Sequence, residues 1–391
     1  MSKPRALIVG GSIAGPTTAF WLVRSGFAVT LVELSPRLRP GGNGVDVREQ
    51  AILVAEQMGL MNRIRAGATD LVGMRFVSGR DHELARIDLK AMQATGGSLE
   101  VEVPRGDLAA ILHDVTSEDV EYTFGDTVVS IDQDSDGVDV TFERGAPQRF
   151  DLVIGADGLH SSVRRLAFGP DAGFVQFKHH YFAVATVESA AGENRWVSFY
   201  NEPGKAAATY RPGNYPAKAH FAFYRRQPLD YDYRNIDQQR RIVHETFAGM
   251  GWHVAELLAG SDAASDFYFD ALSQVHMPAW STGRVVLVGD AAYCASPAAG
   301  AGATLSMVGA YRLAGELKYP AAHPQAAFRR YEAGLRPLVS KKQAGLFTSL
   351  MVPKSRAGIW ARNAFLRSPL VGLLSGLESR IEANLPEYPH S

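Results

Sequence analysis

The chain is 391 residues long and 46% hydrophobic, more than one typical domain needs, so a large core divided over two units is expected. Its 40 basic and 41 acidic residues leave a formal net charge of −1, which gives no electrostatic footprint for nucleic acid or a polyanionic partner. The lone cysteine, Cys294, excludes an intrachain disulfide. No apolar run reaches the length of a bilayer span, and a first strand starting at Ala6 leaves no room for a signal peptide, so a cytoplasmic protein is expected.

In chain order, Ala6 to Val9 is a short apolar run, as in a strand buried on both faces. Gly10-Gly11-Ser12-Ile13-Ala14-Gly15 follows, close to G-x-G-x-x-G, and opens a helix that Ser25-Gly26 stops. Ala28 to Val32 is a second apolar strand and Glu33 ends it. This is the pattern of a dinucleotide-binding turn. Gly10 makes the turn tight, Ser12 and Ala14 line it, and Gly15 lets helix and strand pack closely. The helix N-terminus receives a pyrophosphate, and Glu33 accepts hydrogen bonds from a ribose. Ser12 stands where a second glycine is usual. The motif alone does not choose between NAD and FAD.

A Pro-, Gly- and Arg-rich loop spans Leu34 to Gly44, and Val45 to Val47 is extended. Gln50 to Met61 reads as a helix, Met74 to Leu89 as a hairpin, and Gly106 to Asp114 as a helix. Val120 to Asp126, Val128 to Gln133 and Val138 to Glu143 read as a meander. Asp151 to Gly155 is another buried strand, and its turn carries Asp157 and Gly158, followed by Ser161 and Arg164. Aromatic-rich strands follow: Tyr181 to Val187, Trp196 to Tyr200, Ala206 to Tyr210 and Ala219 to Arg225. Two helical pieces come next, Gln238 to Phe247 and Trp252 to Leu258. Val285 to Val288 returns to apolar strand. It ends in Gly289-Asp290, then Pro297 and Gly300-Ala301-Gly302-Ala303, before a helix from Thr304 to Leu317. Ala326 to Met351 is helical, and the tail from Trp360 to Ile381 packs on the body.

The pattern predicts an α/β protein: a Rossmann-like FAD-binding domain with an inserted, mostly-β substrate domain and a C-terminal helix. The boundaries are 1–73, 100–174 and 275–340 for the first, 74–99 and 175–274 for the second, and 341–391 for the tail. Three turns follow buried strands, at the carboxyl ends where open α/β sheets bind ligands. The third precedes a helix whose Gly-rich start meets a second anionic feature. A nicotinamide needs none, whereas a reduced flavin carries negative charge near N1 and C2=O, which the N–H groups around Gly302 and Ala303 stabilise. Asp290 then holds the ribityl hydroxyls. FAD therefore fits better than NAD. A second Gly-rich dinucleotide turn and a C-x-x-C pair are both missing, so a reductant docks transiently.

These residues carry a resemblance. GGSIAG with Glu33, Asp157-Gly158 with Ser161 and Arg164, and Gly289-Asp290 with Pro297, Gly300 and Gly302 resemble the three signatures of group A FAD-dependent aromatic hydroxylases, the para-hydroxybenzoate hydroxylase-like family. Gly42 to Val47 and Val103 to Leu108 resemble the branch of single-component monooxygenases that includes tetracycline-inactivating enzymes. The resemblance implies that Arg105 meets the FAD phosphates and ribityl chain, that Asp46 touches the flavin side, and that Arg39 meets NADPH. Tyr293 replaces a usual His, Ala301 a usual Gln, Thr304 a usual Asn, and Gly309 a frequent Asp. Asn194-Arg195 and His220-Phe221 resemble substrate-facing pairs of tetracycline-modifying relatives, while Arg211-Pro212 stands where those have Asn-Pro. Arg195 is expected to anchor an oxyanion or carboxylate, His220 a phenol or enol. Tyr181, Tyr200, Tyr210 and Tyr224 are candidates for the pocket wall.

The implied reaction is hydroxylation of an aromatic or polyketide-like small molecule with NADPH or NADH and O₂, through a flavin C4a-hydroperoxide, by a monomer or weak homodimer. No metal-ligand spacing or nucleophile elbow is present, so no side-chain nucleophile is required. A reductase or halogenase of the same fold, and a non-catalytic flavin-binding protein, remain alternatives.

Overall fold

The computed structural model describes residues 3–39, 41–91, 100–318, 324–344, 350–368 and 385–388. Arg5–Val9 is the hub of a six-stranded sheet. Leu152–Gly155 and Ala28–Glu33 flank it in parallel, with Val285–Leu287 and Val120–Phe124 beyond them and Ser281–Thr282 antiparallel at one edge. Leu7, Ile8, Val153, Ile154 and Val286 are fully buried. Such strands need helices on both faces, which Ala14–Arg24, Ser162–Phe168 and Gly302–Lys318 help to supply.

Val120–Phe124 corrects the expected meander. It pairs in parallel with Ala28–Glu33, and only Val128–Gln133, Val138–Phe142 and Gln148–Phe150 form the three-stranded antiparallel sheet. The Gln50 to Met61 helix is two, Gln50–Gln57 and Met61–Ala66, because Gly59 turns the chain at φ +72°. The second helical piece near Trp252 is Val254–Ala263.

A seven-stranded sheet forms from Tyr268–Val275, Val175–Thr186, Lys218–Tyr224, Lys205–Arg211, Trp196–Glu202, Gly73–Val77 and Glu83–Asp88, in that spatial order. Its pairs are antiparallel except Trp196–Glu202 with Gly73–Val77. One face packs Tyr181, Phe221, Phe223 and Phe269 under the helices Ile236–Phe247 and Val254–Ala263. Directly opposed residues share a face and alternate along each strand, so Tyr210, His220, Phe182, Tyr268 and Asp270 lie on the other face. Helix Arg356–Leu366 covers part of that face through Leu366, beside Phe76 and Ala206. A two-stranded ribbon, Gly44–Arg48 with Glu100–Pro104, and the helix Arg105–Asp114 complete the surroundings of the site. Helix Pro324–Gln343 covers the expected stretch up to residue 343; residues 345–349 and the tail from 369 to 384 lie outside the described residues.

Candidate active site

The three turns meet. A Cβ on Gly10 would lie 2.4 Å from the Ala156 carbonyl oxygen, so the first turn touches the second, and φ +111° leaves only glycine unstrained there. A Cβ on Gly289 would lie 2.9 Å from Ala14 Cβ, so the first turn also touches the third. Gly15 approaches the Gly10 carbonyl so closely that a Cβ would sit 1.9 Å from its oxygen. The helix Ala14–Arg24 starts without a side-chain cap, which leaves its first N–H groups free for an anion. Glu33 braces the turn: its carboxylate accepts from Gly11 N–H at 2.7 Å and Ser35 N–H at 2.8 Å. Arg105 Nε donates to Ser12 Oγ at 3.2 Å, which brings a guanidinium to the turn. Arg39 is exposed, on the loop whose backbone packs against Gly106.

Asp157, an expected cofactor contact, points its carboxylate into the next helix. Oδ2 accepts from Ser162 N–H at 2.7 Å and Val163 N–H at 3.1 Å, and Oδ1 from Ser161 Oγ at 2.5 Å. Arg164, fully buried, donates to the Ala291 carbonyl at 2.9 Å and to Asp171 Oδ1 at 2.6 Å, tying the second turn to the third.

Asp290 is half-buried, and burial pushes its carboxyl up while Arg105 opposes the shift. A Cβ at Gly302 would meet nothing within 4 Å, so this helix start faces open space. Gly300 adopts φ +56° beneath the Asp46 carboxylate, whose Oδ2 would lie 3.0 Å from an added Cβ. Arg48, which no motif singled out, clamps the Pro297–Gly300 turn by donating from Nη2 to the Ala299 carbonyl at 3.0 Å and the Gly300 carbonyl at 2.5 Å. Its Nε is buried without a hydrogen-bond partner. Thr304 Oγ1 donates to the Asp46 carbonyl at 3.2 Å, which ties the ribbon to the third turn. Burial and the neighbouring Glu100 push Asp46 up to about 7.

Two departures from the usual signature explain each other. Tyr293 is fully buried, and Tyr331 donates to its hydroxyl at 3.1 Å. A Cβ on Gly309 would lie 1.9 Å from that hydroxyl, so the larger residue at 293 needs the missing side chain at 309. Cys294 is buried, and burial pushes its thiol well up, as for a packed apolar residue.

On the opposing sheet face, Tyr210 and His220 stack with ring centroids 5.7 Å apart. His220 Nε2 is buried without a partner, and burial holds the ring down to about 4, hence neutral at pH 7. Burial, with Glu102 beside it, pushes the Tyr210 phenol well up, which places that tyrosine against the ribbon. Tyr181 and Tyr200 pack toward the helical face instead, and Tyr224 lies under Lys354. Arg195, at φ +66°, is on the surface with Nε 3.1 Å from Asp70 Oδ2. Asp70 also holds Gly213 N–H at 2.6 Å. Arg211 donates to the Ala190 and Gly192 carbonyls, both at 2.8 Å. These two arginines order loops at the rim, and His220 alone of the three faces the interior. Among the described residues no helix is long and apolar enough to cross a membrane, and no group of His, Cys, Asp and Glu forms a metal site.

The uncapped helix start, the touching Gly-rich turns and the open end of the Gly302 helix form one cradle. Comparison with known proteins agrees. Residues 3–339 match the FAD binding domain family. A flavin-dependent monooxygenase of Legionella longbeachae is 36% identical over 94% of this chain and 91% of its own length. An uncharacterized protein, Rv1260, of Mycobacterium tuberculosis is 42% identical over 86% of this chain and 91% of its own. The crystal structure of tetracycline destructase Tet(51) superposes with TM-score 0.84 at 34% identity, covering 99% of this chain and 100% of that one. The chain is therefore a member of the FAD-binding flavin-dependent monooxygenase family.

Proposed function

We propose that this enzyme hydroxylates an aromatic or polyketide-like small molecule, using FAD, NAD(P)H and O₂. The observation that carries the reading is the cradle of three turns facing a sheet wall that presents Tyr210 and a partnerless, neutral His220. When bound, FAD supplies the electron storage and oxygen activation that no side chain here offers.

The chain's own residues bind and orient. Gly10, Ser12, Ala14 and Gly15 receive the pyrophosphate, Glu33 the ribose, Arg105 the phosphates and ribityl chain, and Asp290 the ribityl hydroxyls. Pro297, Gly300, Gly302 and Ala303 form the end of the cradle that stabilises negative charge on the ring, with Asp46 at its side. Asp157 acts through the helix it caps, and Arg39 lies where an incoming NAD(P)H phosphate can pair with it. His220 Nε2 takes a hydrogen bond from a phenol or enol, for which a neutral ring is suited. Phe182 and Val184 on the same face exclude water. Arg195 and Arg211 shape the rim. The seven-stranded sheet, built from strands between Gly73 and Asp88 and between Val175 and Val275, forms the substrate domain. A cytoplasmic setting suits a chain with one buried thiol.

The test is a screen of phenols, polyketides and tetracyclines for stimulated NADPH oxidation by the holoenzyme, with product mass measured. A product heavier by one oxygen atom supports the reading. Flavin that turns over NADPH at one unchanging rate with every compound, leaving all of them intact, would favour a reductase or a binding protein.

A further inference from the structure

We propose that His160, Asp270 and Tyr268 form a relay that carries one proton from solvent into the cofactor cleft when reduced flavin meets oxygen. The inference rests on the flavoenzyme reading above and is independent of which organic molecule is hydroxylated.

Asp270 is 4% exposed, yet its only ionic partner among the described residues is a histidine. Its Oδ2 takes two hydrogen bonds, from His160 Nε2 at 3.0 Å and from the Tyr268 hydroxyl at 2.8 Å. Oδ1 is held by its neighbour's N–H, Ala271, at 2.8 Å and by the Tyr231 hydroxyl at 3.4 Å. A buried carboxylate without a permanent cation is costly, so a purely structural joint would be better made from a neutral side chain. One oxygen shared by an imidazole and a phenol is instead the arrangement a proton hop needs.

Both ends of this relay are open, with Tyr268 38% exposed on the cradle side of the sheet. The His160 side chain is 42% exposed and stacks flat on Tyr233, with centroids 4.8 Å apart and planes at 7°. Its backbone is fixed by Arg165, which donates to the His160 carbonyl at 2.9 Å and pairs with Asp171. Tyr268 lies in the cross-strand row that runs through Val184 to His220, on the cradle side of the sheet. Its ring packs against Phe182 at 5.5 Å. Burial pushes this phenol well up and Asp270 adds to the shift, while Arg105, which bonds the first turn, opposes it. Asp270 also acts on Tyr181 and Cys294, neither of which bonds it.

Two-electron-reduced anionic flavin, O₂ and one proton give oxidised flavin and hydrogen peroxide; with an organic substrate the cycle likewise consumes one proton beyond NAD(P)H. In the relay Tyr268 turns its O–H into the cleft and yields that proton. As it does so, solvent protonates His160 Nδ1, His160 Nε2–H passes its proton to Asp270 Oδ2, and Oδ2 hands it to the Tyr268 oxygen, so the carboxylate and the phenol end as they began. No other bond forms or breaks.

The test uses holoenzyme photoreduced without oxygen, then mixed with oxygenated, weakly buffered solution containing a pH indicator. Wild type should take up one proton per flavin as the yellow colour returns. Y268F and D270N should slow that uptake at least about tenfold and enlarge the solvent deuterium effect. H160A should slow it similarly, and added imidazole should restore the rate. FAD binding to the apoproteins, followed by fluorescence, should stay within about twofold of wild type, which a merely structural joint would not allow. Proton uptake at the wild-type rate in both Y268F and D270N overturns the relay, as does slowing that only tracks lost FAD affinity. Y268F removes a single oxygen and guards against misfolding of D270N. Reduced wild-type flavin that fails to react with oxygen overturns the flavoenzyme reading instead.

Discussion

Replacing Gly15 with alanine should abolish tight FAD binding while leaving most of the fold intact. The added Cβ would lie 1.9 Å from the Gly10 carbonyl oxygen and 3.4 Å from Ile8 Cγ2, whereas ordinary contact begins at 3.4 Å. Ile8 Cγ2 is in ordinary contact, and the clash is with the Gly10 carbonyl, a backbone group with no flexible end to yield. Gly10 is pinned from behind by its N–H bond to the Val32 carbonyl at 2.8 Å, so the turn opens forward, toward the cofactor. Turn and helix start must then separate by about 1.5 Å, and a helix N–H displaced by that much takes a hydrogen bond of roughly 2.9 Å beyond any useful length. Losing one or two charge-assisted bonds to the pyrophosphate costs about 2–4 kcal/mol, a loss of roughly 30- to 1000-fold in FAD affinity. Fluorescence titration of apoprotein with FAD measures this, and thermal unfolding of the same apoprotein gives the separate cost of overpacking, about 1–3 kcal/mol. A G15A protein that binds FAD as wild type does would refute the assignment of this turn to the pyrophosphate.

Asp290→Ala should release flavin on dialysis while the apoprotein stays folded; full retention of yellow colour would remove Asp290 from the site. Gly309→Ala should destabilise the protein by about 1–3 kcal/mol in denaturant unfolding, because the new Cβ overlaps the Tyr293 hydroxyl. Adding Tyr293→Phe to it should recover at least part of that loss, and strictly additive effects would deny the pairing. Asp46 has its carboxyl raised from 3.8 to about 7 in the fold, so the folded state binds its proton more tightly than the unfolded chain. Stability therefore falls as pH rises from about 4 through about 7, and Asp46→Asn should raise the apoprotein melting temperature at pH 8 and lose that advantage near pH 4. A melting difference that does not vary with pH would contradict the burial of this carboxyl.

The first turn was legible because its physics is local: strand, glycines, helix and terminal acid follow one another within Ala6 to Glu33. The third turn was legible for the same reason. Whatever depends on distant partners was not. Val120–Phe124 looks like any meander strand until its neighbour proves to be Ala28–Glu33. Asp157 follows the buried strand Leu152–Gly155, but nothing in the local sequence says that Ser162 and Val163 take up its carboxylate. Arg195 matches a substrate-facing pair by its neighbours in sequence, yet Asp70, far earlier in the chain, fixes it at the rim. Arg48 and Asp270 carry no motif at all; their partners, Gly300 and His160, become visible only when the inserted sheet and the ribbon close over the nucleotide domain. The alternation of apolar residues places strands on a face, and the identity of the opposite strand decides what that face meets.

The central claim is that oxygen from O₂ enters an organic product in this cleft. The most direct measurement is turnover of a stimulating compound under isotopically heavy dioxygen in ordinary water, with mass spectrometry of the product. One heavy oxygen atom should appear in the product for each NADPH consumed in coupled turnover. Product oxygen drawn from water, or a product with no added oxygen, would contradict it.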